Sequence, residues 1–245
     1  MTSREAAYLD LGDAIPLSSG YVDAFFRPFV ERGGALSLVR AILADEHRLA
    51  SCAANGYRHH NDFTKVVLGV SPAGRKLVWH QWRQKEPWVD SDLHNHRWDF
   101  VSYIAAGELE LTDYEEDRRG PLAVTRYAYE SPGGRAEYSL RRVGPARLRE
   151  VRRTKVPAGE FYHQPHRTVH TAASQAQGTG TIIVQGEVAT AGTDVYLAGA
   201  GEERLDRTVP RFSPAHLRPL LEQLRDGMRG PPFTSARRGT SPARW

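Results

Sequence analysis

Polar and apolar residues alternate over short runs through the middle of the chain, and turn-forming residues separate these runs. A period of two is typical of β-strands that bury one face. Many short strands at close intervals favour a β-sandwich or a closed barrel. The predicted strands are residues 63–70, 77–82, 100–105, 108–112, 122–129, 136–140, 148–156, 181–185 and 194–197.

Apolar residues at helical spacing occur towards the two ends of the chain. Residues 21–30 and 36–49 carry apolar side chains three or four positions apart, which predicts helices. Ser213 and Pro214 are residue types that begin a helix, and leucines follow them at helical spacing. The expected organisation is an N-terminal arm with helices over residues 1–55, a barrel over 56–200, and a C-terminal helix with a basic tail over 201–245.

The composition is that of an ordinary globular protein. Of the 245 residues, 40% are hydrophobic and 25% are charged, which suits one domain with a substantial core. No apolar run is long enough to cross a bilayer, and the N-terminus lacks the apolar core of a signal peptide. Cys52 is the single cysteine, so we expect no internal disulfide and a cytoplasmic location.

The formal net charge of +4 does not point to a nucleic-acid partner. Much of the positive excess lies in residues 229–244, where apolar periodicity is absent. The chain contains neither a helix-turn-helix signature nor zinc-finger spacing. We therefore expect a solvated basic tail rather than a nucleic-acid-binding surface.

Two histidines, His94 and His96, stand just before the strand-like run that begins at Phe100. Alternate side chains of an extended segment point the same way, so both imidazoles are expected to reach one ion. Neutral imidazole binds iron, copper, nickel and zinc. The alternative is a pair of surface histidines, because His-x-His is a short pattern.

The residues around this pair resemble the first motif of the cupin superfamily. That motif has a His-x-His, a glutamate a few residues later and a glycine at a hairpin turn. His94, His96 and Gly107 match it, whereas Phe100 stands in the place of the glutamate. The chain therefore resembles three-histidine cupins of the thiol-dioxygenase type, which also lack the glutamate. The resemblance implies a mainly β, single-domain jelly-roll barrel that encloses a metal ion.

The second cupin motif places a ligand histidine after a Pro-x-Gly turn, which Pro157 and Gly159 resemble. In related cupins a Tyr-x-x-Pro stretch, such as the one that begins at Tyr162, precedes the ligand. This resemblance favours His170 and leaves the other candidates open. The candidates for the third ligand are His163, His166 and His170.

Two residues of the same stretch are expected to take part in catalysis. His166 shares strand parity with His170, so one would bind the metal ion and the other would support it or transfer protons. Tyr162 is expected to hydrogen-bond bound oxygen, by analogy with thiol dioxygenases.

The function that the resemblance implies is that of an iron(II)-dependent dioxygenase, an oxidoreductase that acts on a small polar metabolite. His94, His96 and His170 would leave coordination positions open for substrate and dioxygen. Zinc, nickel and manganese are the alternative metals, and they would suit a lyase or an isomerase. A non-catalytic cupin that binds a small ligand is a further alternative. Related cupins often pair through sheet edges, so a homodimer is expected, with no membrane partner.

The substrate pocket is expected beside the metal ion. Aromatic residues such as Trp98 and Tyr103 would exclude water, and Arg83 or Arg167 would hold a substrate carboxylate. The pattern of residues 77–82 leaves open which face of that strand looks inward. The expected lining residues are His80, Gln81, Arg83, Trp98, Tyr103, His163 and Arg167.

Overall fold

The computed structural model of the chain describes residues 9–61, 63–82, 92–131, 137–174, 178–199 and 201–228. Within these ranges, no helix combines the length and the apolar character needed to cross a membrane. Arg83 and residues 229–245 of the expected basic tail lie outside the described residues.

Helices lie before and after the strands. Ser213 begins the C-terminal helix, because its hydroxyl accepts a hydrogen bond from the backbone N–H of His216. The helices are α1 (Ser19–Tyr21), a π-helical turn (Val22–Phe26), α2 (Arg27–Glu31), α3 (Gly34–Leu43), α4 (Glu46–Ala54) and α5 (Pro214–Gly227).

The single helix predicted over residues 36–49 is two helices, α3 and α4. The carboxylate of Asp45 accepts hydrogen bonds from the backbone N–H groups of His47, at 2.9 Å, and Arg48, at 3.2 Å. These bonds satisfy donors in the first turn of α4. A new helix therefore begins at this point although the apolar spacing continues through it.

The strands follow α4 and extend almost to α5. In chain order the strands of the described residues are β1 (Tyr57–Arg58), β2 (Phe63–Val70), β3 (Lys76–Trp82), β4 (Leu93–His94), β5 (Phe100–Ala106), β6 (Glu108–Glu116), β7 (Leu122–Glu130), β8 (Glu137–Pro157), β9 (Phe161–Gln164), β10 (Val169–Ala173), β11 (Gly180–Gln185), β12 (Asp194–Leu197) and β13 (Arg204–Thr208).

The long strand β8 replaces the loop and the two strands predicted around residues 136–156. Its pairing with β7 continues through Gly144 and Pro145, with one register shift at which Val143 of β8 is the extra residue. Pairing with neighbouring strands therefore overrides the local turn tendency of glycine and proline.

The strands form two antiparallel sheets. The first sheet has the order β1-β2-β3-β11-β5-β9, and the second has the order β13-β8-β6-β10-β4-β12-β7 with an additional pairing between β8 and β7. The inner faces of the two sheets share one apolar cluster, as expected for a jelly-roll barrel. The predicted mainly β jelly-roll architecture with helices at both ends is confirmed.

Both faces of the first sheet are buried, but against different parts of the chain. Val78 and Ile104 point into the barrel and pack in one cluster with Leu111 of the second sheet. Trp79 and Val101 point the other way and pack with residues of the helices. Even-numbered residues of β3 therefore face the interior, which decides the question that its sequence pattern left open.

Gly107 makes the tight hairpin between β5 and β6. Its φ is +75°, and a Cβ at this position would lie 2.9 Å from Cα of Thr179. A left-handed backbone against a close neighbour requires glycine.

Candidate metal centre

Three histidine side chains meet inside the barrel. One ring nitrogen from each of His94, His96 and His170 lies within 4.8 Å of the others. The Nε2 atoms of His96 and His170 are 2.9 Å apart. Of the three candidates for the third ligand, His170 is therefore the one that the fold brings to the early pair.

Strand pairing and one loop hydrogen bond hold the three rings together. His94, at the end of β4, lies opposite His170 of β10, and opposite residues of antiparallel strands point to the same face. His96 follows β4, and its backbone N–H donates to the carbonyl oxygen of His166 at 2.9 Å. This bond ties the segment that carries His96 to the turn before β10.

The ring of His94 is oriented by the backbone. Its Nδ1 lies 2.7 Å from the carbonyl oxygen of Asp92, and a carbonyl can only accept, so the proton is on Nδ1. Nε2 then carries the lone pair that a metal ion would take.

A line of polar contacts leads from Asp92 to β8. Oδ2 of Asp92 lies 3.1 Å from Nε2 of His60, and the Tyr138 hydroxyl lies 2.8 Å from Nδ1 of the same ring. Burial opposes the ionisation of Asp92, but the nearby positive groups, His60 first among them, together outweigh it and lower the pKa of the carboxyl group. We call Tyr138, His60 and Asp92 the outer chain. It ends at Asp92, whose backbone carbonyl oxygen accepts the hydrogen bond from His94.

Burial favours the neutral form of all three clustered histidines. Desolvation lowers the pKa of His94, and it lowers the pKa values of His96 and His170 well below their usual range. Other histidines nearby add to the effect in each case. The neutral imidazole is the form that binds a metal ion.

The chemistry of this donor set and one of its three nitrogen–nitrogen separations suit a divalent metal ion. At metal–nitrogen distances of about 2.1 Å, two nitrogens at right angles around an ion lie about 3 Å apart. The separation of 2.9 Å between the Nε2 atoms of His96 and His170 agrees with that value. In the part of the chain that the structure describes, no carboxylate or thiol belongs to the group.

Phe100 occupies the place of the cupin glutamate. Its ring centroid is 5.0 Å from that of His96 and 6.2 Å from that of His170. The residue is only 5% exposed. An apolar ring therefore lies at the position where the cupin motif that the sequence resembles has a glutamate.

Tyr162 and His166, the expected catalytic residues, have contacts of their own near the cluster. The Tyr162 ring packs on Phe100 at 5.9 Å, and burial raises its pKa to about 12. The ring Nδ1 of His166 and its backbone N–H both lie 2.7 Å from Oδ1 of Asp99. The Tyr162 side chain therefore contacts Phe100, and the His166 side chain contacts Asp99. The backbone carbonyl oxygen of His166 accepts the hydrogen bond from the N–H group of His96.

Two of the predicted pocket residues, His80 and Trp98, face the barrel interior. The ring of Trp98 is 6.1 Å from that of His96, and the ring of His80 is 4.4 Å from that of Phe63. Nε2 of His80 is buried and has no hydrogen-bond partner among the described residues. Burial, followed by the charge of Lys65, holds the pKa of His80 well below its usual range.

The structure does not bring the other predicted lining residues to the cluster. Gln81, Tyr103 and His163 alternate with the inward residues of β3, β5 and β9, so they lie on the outer face of the first sheet, where Tyr103 packs with the helices. Arg167 lines a separate pocket of about 630 Å³. Arg83 lies outside the described residues.

Three residues near the cluster were not expected there. His59 and His60 lie in the segment that follows β1, and the centroids of their rings are 4.1 Å apart. Lys65 lies between Phe63 and Val67 on β2, both of which belong to the cluster inside the barrel. The alternation along β2 is the sequence signal that would have identified this lysine.

No protein-family model and no curated protein matches the chain. Solved structures resemble part of it. KdgF from Halomonas sp. is 11% identical, with a TM-score of 0.33, over 54% of this chain and 87% of its own. An RmlC-like cupin from Shewanella frigidimarina is 14% identical, with a TM-score of 0.30, over 54% and 83%. Hydroquinone 1,2-dioxygenase from Sphingomonas sp. is 12% identical, with a TM-score of 0.32, over 50% and 65%. At these scores we draw no function from the similarities.

Proposed function

We propose that the chain is a metal-dependent oxygenase in which His94, His96 and His170 hold iron(II) and a small polar metabolite is the substrate. The observation that supports the proposal most strongly is the meeting of three neutral imidazoles with no carboxylate among them. When bound to such a donor set, the metal ion keeps its full positive charge and has positions for substrate and dioxygen.

The chain's own residues supply geometry and exclude water. The carbonyl oxygen of Asp92 keeps the proton of His94 on Nδ1, and the carbonyl oxygen of His166 holds the backbone at His96. Phe100 and Trp98 place apolar rings beside the imidazoles. A site of this kind keeps its ligands in place while a substrate replaces the remaining water.

The test is oxygen consumption by protein that has been loaded with iron(II) under anaerobic conditions. We expect consumption that depends on an added substrate from a panel of thiols, amino acids and other small carboxylic acids. His170→Ala removes one imidazole and is expected to abolish consumption. His163→Ala is the matched control, because His163 lies on the outer face of the first sheet.

Fully iron-loaded protein that consumes no oxygen with any member of the panel would contradict the oxygenase proposal. Retention of zinc, nickel or manganese after expression in unsupplemented medium would then favour a lyase or an isomerase. A His94→Ala variant that leaves both the metal content and the biological effect of the protein unchanged would favour a non-catalytic, ligand-binding protein.

A further inference from the structure

Lys65 places a positive charge inside the barrel. Its neighbours two positions away on β2, Phe63 and Val67, both pack in the interior cluster, so its side chain leaves β2 on the inner face. Its Nζ lies 5.9 Å from the ring centroid of Trp98. Trp98 in turn lies beside His96, so the ammonium group is next to the histidine cluster.

A second cation approaches the same indole ring. Cζ of Arg97 lies 5.2 Å from the Trp98 ring centroid. The backbone of this segment is held in place, because the carbonyl oxygen of Arg97 accepts hydrogen bonds from the N–H groups of Ala189, at 2.6 Å, and Thr190, at 3.1 Å. Lys65 and Arg97 thus both lie within cation–π distance of one aromatic side chain.

A third cation lies within electrostatic reach. Burial, followed by the positive charges of Lys65 and Arg97, lowers the pKa of Lys76. Like charges repel, and this arrangement costs free energy unless an anion compensates for it.

The carboxylates in the neighbourhood have other partners. Asp92 contacts His60, and Asp99 holds His166. Among the residues that the structure describes, no carboxylate lies within ion-pair distance of Lys65 or Arg97. The three neutral imidazoles contribute no negative charge either.

We infer that the site takes an anionic substrate, a metabolite with a carboxylate or phosphate group that lies between Lys65 and Arg97 beside Trp98. Lys65 supplies a point charge, and Arg97 supplies a planar donor that suits either oxyanion. The inference rests on the proposed function, because it names the substrate class of the same site. Anion binding is nevertheless measurable without turnover, so it can fail or succeed independently of oxygen consumption.

The experiment compares two anions with an uncharged relative on zinc-loaded protein. Succinate, inorganic phosphate and succinamide are titrated at one ionic strength, by calorimetry, with the metal content checked afterwards. We expect at least one anion to bind at least about tenfold more tightly than succinamide, which is the effect of one hydrogen bond to a charged group.

Variants of the two cations identify the site. Lys65→Met is expected to weaken anion binding about tenfold or more and to leave succinamide binding unchanged, whereas Lys65→Arg restores most of the affinity. Arg97→Gln is an independent second variant with the same expected effect. Lys155→Met is the matched control, because Lys155 is an exposed lysine that faces Glu108 on β6.

Two results would overturn the inference. One is wild-type protein that prefers neither anion over succinamide. The other is anion affinity that stays at the wild-type value in folded Lys65→Met and Arg97→Gln. Lysine-dependent anion binding by a protein that consumes no oxygen would leave this inference standing and reject the oxygenase proposal alone.

Discussion

Phe100 determines the number and the charge of the groups that face the histidine cluster. A carboxylate at this place would add a fourth ligand and a negative charge next to three imidazoles. The phenyl ring instead lies within contact distance of His96 and shields it from water. We therefore expect the residue at position 100 to decide whether the group offers three or four ligands.

Restoring the carboxylate should tighten metal binding. We expect Phe100→Glu to lower the zinc dissociation constant at least about tenfold, because the added charge and ligand both favour the cation. Phe100→Gln has a similar shape and no charge, and it serves as the control. Competition with a chromophoric chelator measures both constants, and equal affinities in the two variants would contradict the position assigned to Phe100.

At the scale of elements, the cluster depends on contacts between segments that are distant in sequence. β4 pairs with β10 and brings His94 to His170. The outer chain connects β8, the residues after β1 and the start of β4 through Tyr138, His60 and Asp92. The orientation of His94 is therefore coupled to three parts of the barrel.

Removing the outer chain should weaken metal binding without removing a ligand. We expect His60→Ala to raise the zinc dissociation constant roughly tenfold, the lower end of the range for groups that orient ligands. Tyr138→Phe should have a smaller effect in the same direction.

Tyr129→Phe is the control for this prediction, because the ring of Tyr129 stacks on Tyr138 at 4.9 Å but its hydroxyl is not in the outer chain. A zinc affinity for His60→Ala equal to that of Tyr129→Phe would show that the chain does not position His94.

Local patterns predicted the elements better than their limits. The alternation along β2 gave its bounds, residues 63–70, because one of its faces lines the barrel and the other contacts the helices. The spacing over 36–49 missed the break at Asp45, since a capping carboxylate ends one helix and begins another without disturbing the apolar stripe. The strands predicted over 136–140 and 148–156 are parts of one strand, β8, and the loop expected between them was wrong, because the partners of β8 hold Gly144 and Pro145 extended.

The histidines of the candidate site lie together as predicted, but several residues expected to line its pocket do not lie there. The proximity of His94 and His96 follows from extended backbone alone. The choice of His170 required the resemblance to cupins, because a pairing across so many residues leaves no local signal. Gln81, Tyr103 and His163 were expected in the pocket, but their strand parity places them on the outer face of the first sheet.

At the scale of the whole molecule, the barrel buries several imidazoles away from water. The pKa values of His59, His80, His96 and His170 all lie well below the usual range, with burial as the first cause in each case. Each of these groups resists protonation in the folded state and accepts it in the unfolded state.

The stability of metal-free protein should therefore depend on pH. Because the folded pKa values lie below the unfolded value of about 6.5, the unfolded chain binds more protons below that pH. We expect the free energy of unfolding to be nearly constant from pH 8 to 7 and to fall as the pH decreases from 6.5 to 5. The limit is about 1.4 kcal/mol per pH unit for each such histidine.

Urea unfolding at a series of pH values measures this dependence. His80→Gln removes one titrating group and should make the slope below pH 6.5 shallower. A free energy of unfolding that does not change, or that rises, as the pH falls to 5 would contradict the burial of neutral histidines.

The most direct test of the account is the metal content of the purified protein, measured by mass spectrometry after saturation with zinc and removal of free metal. We predict one ion per chain for the wild type and for His163→Ala, and almost none for His170→Ala. Wild-type protein without bound metal, or His170→Ala protein that keeps a full equivalent, would contradict the three-histidine metal centre.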